Sequence, residues 1–139
     1  MSWPSWLPLR ETLRPLSAYG APQVPAQASL NTNENPYSPS PALQKAITDA
    51  VAQVAADLNR YPDRDATVLR TKLATYINER SGTDFTLDNI WAANGSNEII
   101  QSIFLAFAQG PVLGFTPSYS MHPLIAKTTG AQWIDGKRN

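Results

Sequence analysis

From about residue 89 onward the chain alternates short, β-like apolar runs with segments of helical period, and this restricts it to few architectures. Residues 89–93, around Ile90-Trp91-Ala92-Ala93, read as a strand. Residues 96–108 read as a helix stopped by Gln109-Gly110-Pro111. Residues 112–115 form a second strand, a further helix ends near Gly130, and residues 131–134 form a third strand. Strands separated by helices of this length predict right-handed βαβ crossovers and an α/β fold.

Upstream, from residue 40, the pattern is purely helical. Ser40 is a good N-cap and Pro41 suits the first helical position. Leu43, Ile47, Val51, Val54 and Leu58 then recur every three or four residues, so 41–57 is predicted as one amphipathic helix. The loop Asn59-Arg60-Tyr61-Pro62-Asp63 separates it from a second helix over about 66–80, which Ser81-Gly82 ends. Eight of the twelve prolines lie at or before residue 41. Proline is excluded from helix interiors and central strands, so residues 1–40 are expected to form an irregular arm, with at most a short helix over 7–13. Trp3, Trp6, Leu7, Leu9, Leu13 and Leu16 give that arm too much apolar surface to float free, so it should pack on something. Residues 41–139 then form part of a larger domain. The chain stops at Asp135-Gly136-Lys137-Arg138-Asn139, straight after a strand, a poor place to end a doubly wound sheet; a truncation is expected.

Composition narrows the function. Lysine plus arginine balance aspartate plus glutamate, eleven against eleven, which excludes the positive excess of a nucleic-acid binder. Without cysteine there is no thiolate nucleophile, thiolate metal site or disulfide framework. No run approaches the ~20 apolar residues that span a bilayer. The N-terminus lacks the basic and apolar regions of a signal peptide. A soluble cytoplasmic protein with no membrane partner is the expectation.

Among the motifs, Asn94-Gly95-Ser96-Asn97-Glu98 says most about chemistry. A strand that turns through glycine into a helix start aims unpaired N–H groups and the positive helix-dipole end at one point, an arrangement suited to phosphate. Most such turns are only capped helices, with Glu98 reaching back. It is no Walker loop, since no Gly-Lys-Ser/Thr follows, and it lacks dinucleotide spacing. Tyr119, in Thr116-Pro117-Ser118-Tyr119, falls at the carboxyl end of a strand, where open α/β sheets carry their ligands. It could stack on a planar ring or simply pack its own helix. Leu30-Asn31-Thr32-Asn33-Glu34-Asn35-Pro36-Tyr37 is a polar loop. The lone His122 reads as structural rather than as a general base. Lys45, Lys72, Lys127 and Lys137 fall on helix surfaces or near the terminus, without the buried setting that activates a Schiff-base lysine. No catalytic residue and no metal site are assigned.

Four motifs in register carry a resemblance: Asn31-x-Asn33-Glu34-Asn35-Pro36, Asn59-Arg60-Tyr61-Pro62, Asn94-Gly95-Ser96-Asn97-Glu98 and Thr116-Pro117-Ser118-Tyr119-Ser120-Met121-His122. Their order and separations resemble the N-terminal part of the histidinol-phosphate aminotransferase family, fold-type I enzymes dependent on pyridoxal 5'-phosphate. The likeness runs from about Tyr19 to Asp135. It implies an incomplete large domain of that fold behind the proline-rich arm. It also implies cofactor contacts at Gly95, Ser96 and Asn97, the latter two holding the phosphate through their amides. Tyr119 would stack on the pyridine ring, and Tyr61 would reach the phosphate of the neighbouring subunit's cofactor, which makes the complete enzyme a homodimer. Tyr19, Asn33 and Glu34 would line the substrate pocket, and the arm would wrap the partner subunit. The implied reaction is amino transfer between histidinol phosphate and 2-oxoglutarate in histidine biosynthesis.

The family's Schiff-base lysine lies beyond residue 139 in chain order, as do the aspartate facing the pyridinium nitrogen and the arginine that takes the substrate carboxylate. The chain is therefore expected to be an N-terminal fragment, inactive alone. Related readings are a threonine-phosphate decarboxylase, an aromatic aminotransferase, or a non-catalytic interaction protein that keeps the scaffold.

Overall fold

A computed structural model describes residues 3–17, 19–20, 24–28 and 30–138. The first helix, α1, spans Pro41–Val54 and tightens into a 3-10 turn at Ala55–Asp57, so the expected helix forms with its last turn overwound. Ser40 starts it in extended conformation, its hydroxyl oxygen accepting from the Leu43 N–H at 3.2 Å. The second helix, α2, spans Thr67–Ser81. Its start is held from outside: the Asp63 carboxylate accepts from the N–H groups of Asp65 at 3.1 Å and Thr67 at 2.8 Å. The two backbone donors, that of Thr67 foremost, hold the Asp63 pKa below its ordinary value. Gly82, at φ 64°, closes the helix in the left-handed conformation that glycine adopts without strain.

Helix α3 spans Ser96–Phe107, strand β1 Val112–Thr116, helix α4 Met121–Thr129 and strand β2 Trp133–Lys137. The strands pair in parallel, Val112 opposite Trp133 through to Thr116 opposite Lys137, with α4 as the crossover. This β–α–β unit is the α/β arrangement expected. Gly114 on β1 is needed for it: a Cβ there would stand 2.0 Å from the Trp133 ring on the neighbouring strand. Helices α3 and α4 pack on each other, and α4 carries two of the buried apolar residues, Ile125 and Ala126.

Three expectations need correction. Residues 89–93 do not form a strand. Thr86 and Asn89 form a capping box that winds Leu87–Asn89 into a 3-10 turn. The Arg70 guanidinium then donates to Leu87 O and Ile90 O, both at 2.7 Å, taking backbone acceptors a ladder would use. The last strand begins at Trp133, not at 131. Gly130, at φ 88°, caps α4, and the Ala131 N–H donates to Ala126 O at 2.9 Å, so the capping motif consumes residue 131. In the arm, a helix over 7–13 is reduced to a 3-10 turn at Glu11–Leu13. That turn packs against α4, and Arg10 donates to Thr128 O at the end of the helix.

The apolar surface is largely uncovered. The α1 stripe of Leu43, Ile47, Val51 and Val54 is at least half exposed, and among the described residues only Ala74, Ile125 and Ala126 are buried apolar side chains. Leu113, Phe115 and Ile134 of the sheet are also exposed. No helix among the described residues is long and apolar enough to cross a membrane.

Candidate functional site

The glycine turn is built as a cradle. Gly95 sits at φ 81°, ψ 170°, a conformation close to glycine-only, and its N–H donates to Ala93 O at 2.8 Å. This bend swings the chain into α3, whose first N–H groups have no acceptor within the helix. Gly95 offers no side-chain cap. Glu98 does reach back, but to the Asn94 N–H at 2.7 Å, one residue short of the helix cap, so it does not screen the amides of Ser96 and Asn97. A Cβ built on Gly95 would meet nothing within 4 Å, so the space before the helix start is open.

That space belongs to an open cleft of about 960 Å³. Three segments line it: the α3 start from Asn94 to Asn97, the turn Ser118-Tyr119-Ser120 after β1, and the upstream residues Tyr19 and Asn31-Thr32-Asn33. The volume lies within the roughly 300–1,000 Å³ of ordinary small-molecule sites. Of the residues singled out from sequence, Tyr19, Asn33, Gly95, Ser96, Asn97 and Tyr119 come together here, although they are scattered over a hundred positions of the chain. Glu34 and Tyr61 are not among the lining residues; Tyr61 is fully exposed on its loop.

The chemistry of the wall suits a phosphate ester bearing a planar ring. No lining side chain is a carboxylate, and the hydroxyls of Thr32, Ser96 and Ser120 add donors to the helix amides, while that of Ser118 lies 3.0 Å from His122 Nδ1. Tyr119 supplies a half-exposed aromatic face. Asn97 carries a buried side-chain oxygen without a hydrogen-bond partner among the described residues, an unsatisfied polar group at the cleft wall. None of the four lysines lines the cleft; Lys45, for one, is paired on α1 with Asp49 at 2.9 Å. Sequence reasoning did not assign Asn94, Thr32, Ser118 or Ser120 to the site. Asn94, Ser118 and Ser120 stand in the motifs that carry the resemblance, and Thr32 is the unspecified position of another.

The family profile for aminotransferase class I and II matches residues 25–139, and the chain belongs to that family, whose members generally depend on pyridoxal phosphate. More particularly, it is 53% identical over 135 residues to the histidinol-phosphate aminotransferase of Mycobacterium sp. (strain KMS), a match covering 95% of this chain and 36% of that protein. It is 53% identical over 131 residues to the histidinol-phosphate aminotransferase of Rhodococcus opacus (strain B4), covering 92% and 34%. The protein of the same name in Corynebacterium diphtheriae (strain ATCC 700971 / NCTC 13129 / Biotype gravis) is 54% identical over 136 residues, covering 96% and 37%. The chain therefore spans little more than a third of the length of the curated relatives it matches.

Proposed function

We propose that this chain is the cofactor-cradling N-terminal portion of a cytoplasmic histidinol-phosphate aminotransferase that moves an amino group between histidinol phosphate and 2-oxoglutarate. The observation that carries the reading is the cleft itself, which gathers Tyr19, Asn33, Gly95, Ser96, Asn97 and Tyr119 around one helix start. Bound there, pyridoxal phosphate would supply the electron sink that amino transfer needs. The amides of Ser96 and Asn97 would hold its phosphate, assisted by the α3 dipole. Tyr119, half exposed on the cleft wall, would stack on its ring and shield that face from water. Tyr19 and Asn33 shape the substrate side, and Glu34, next in the chain but outside the cleft lining, is placed there by the resemblance alone. Tyr61, exposed and outside the cleft, reaches the cofactor phosphate of a second subunit in a homodimer; its full exposure in the single chain supports that reading.

The chain supplies position and charge rather than proton transfer. No lysine lines the cleft, so the group that shuttles the proton must come from polypeptide corresponding to the remaining length of the relatives. The test is reconstitution: this chain is combined with a separately produced polypeptide comprising the rest of the Mycobacterium relative. Turnover of histidinol phosphate with 2-oxoglutarate is expected from the mixture and not from either part. Turnover by this chain alone would overturn the reading.

A further inference from the structure

Ser118 and His122 stand one helical turn apart where β1 gives way to α4, and Ser118 lines two cavities at once. One is the cleft; the other, of about 340 Å³, is bordered by Phe104, Phe115, Trp133 and His122. The Ser118 hydroxyl lies 3.0 Å from His122 Nδ1, within hydrogen-bonding distance. The His122 N–H donates to Tyr119 O at 3.1 Å, which closes the turn and brings the rings together. They meet edge to face, with centroids 5.6 Å apart and planes at 87°. On its other side the imidazole lies 6.4 Å from the Trp133 ring, whose indole N–H donates to Asp135 at 2.8 Å. His122 is half-buried, anchored toward β2, and touches two cleft residues without lining the cleft itself.

A tyrosine half exposed on a turn has several rotamers open to it, and a ligand that stacks on one of them must bear the cost of selecting it. A ring set perpendicular against the tyrosine removes much of that freedom beforehand. A hydroxyl held at a fixed acceptor or donor likewise meets its ligand in one orientation.

We infer that His122 is a positioning residue: it fixes the Tyr119 ring and the Ser118 hydroxyl in the orientation that a planar ring bound beside the α3 cradle requires. The inference rests on the reading of the cleft as a pyridoxal-phosphate site. The cradle amides lie on another helix, so His122 governs the ring of the ligand and leaves its phosphate alone.

The experiment compares pyridoxal phosphate with inorganic phosphate, each titrated calorimetrically into the full chain, together with the induced circular dichroism of the bound pyridine ring. His122→Ala is expected to raise Kd for pyridoxal phosphate roughly three- to tenfold, the value of one aromatic pair, and to diminish the induced signal. Its Kd for inorganic phosphate stays that of the wild type. His122→Phe, which keeps the edge contact, recovers the dichroism more than the hydroxyl-blind Ala variant does. His122→Asn, which can still bond Ser118, separates the two contacts if His122→Ala fails to fold. Equal losses for both ligands in these variants would show a merely structural residue and overturn the inference, as would unchanged pyridoxal phosphate binding and dichroism. Wild-type chain that binds phosphate but no pyridoxal phosphate would instead overturn the cofactor reading, and this inference with it.

Discussion

Gly95 carries the sharpest constraint at the level of single residues. Its φ of 81° with ψ near 170° is reached by glycine and by almost nothing else. Gly95→Ala should cost about 1–3 kcal/mol of stability and weaken phosphate binding, because relief of the strain re-aims the Ser96 and Asn97 amides. Thermal melts paired with phosphate titration check both effects. Gly114 is constrained by space rather than by dihedral angle, since an added Cβ would stand 2.0 Å from the Trp133 ring. Gly114→Ala should destabilise by about 1–3 kcal/mol, with the tryptophan emission shifted as the indole is displaced. Asp63 gives a pH dependence. Its pKa is lowered by the Thr67 and Asp65 N–H groups, so the folded state favours the carboxylate. The stabilisation is present above the ordinary carboxylate value of 3.8 and lost as the pH falls through the lower folded value. The melting difference between wild type and Asp63→Ala should therefore be visible at neutral pH and vanish in acid. A difference that grows in acid would contradict it.

Helix boundaries were legible from local chemistry because the signals act over one turn. Ser40-Pro41 starts α1, Gly82 ends α2 and Gly130 ends α4. The misread strand over 89–93 failed for a nonlocal reason: its outcome depended on Arg70, twenty residues upstream, whose guanidinium takes the Ile90 carbonyl. Periodicity predicts that a stripe is apolar and cannot say what covers it. The α1 stripe stays at least half exposed, and among the described residues only the 3-10 turn that ends the helix packs broadly against it. Ile47→Ala on α1 should consequently change the stability of this chain by under about 0.5 kcal/mol, whereas Ile125→Ala in α4, at 5% exposure, should cost about 2–5 kcal/mol. Chemical denaturation of the two variants separates them. A large loss at Ile47 would mean that α1 is packed.

For the molecule as a whole, the cleft was legible only as a set of motifs. Nothing in the spacing of Tyr19, Asn33, Gly95 and Tyr119 places them on one wall; the resemblance grouped them, and the fold brings them to one cavity. Tyr61 and Glu34 stand outside it, and the role proposed for Tyr61 depends on a second subunit. A cleft with donors and an aromatic face but no lysine should bind pyridoxal phosphate reversibly. A few charge-assisted hydrogen bonds and one stacked ring suggest a Kd on the order of a millimolar. The most direct measurement is a titration of pyridoxal phosphate into the chain, followed by tryptophan fluorescence with and without inorganic phosphate. Saturable quenching that inorganic phosphate reverses, and that borohydride does not convert into stoichiometric labelling of one lysine, is the expected result. Quenching indifferent to phosphate, or one lysine labelled to completion, would contradict a phosphate cradle that lacks its catalytic lysine.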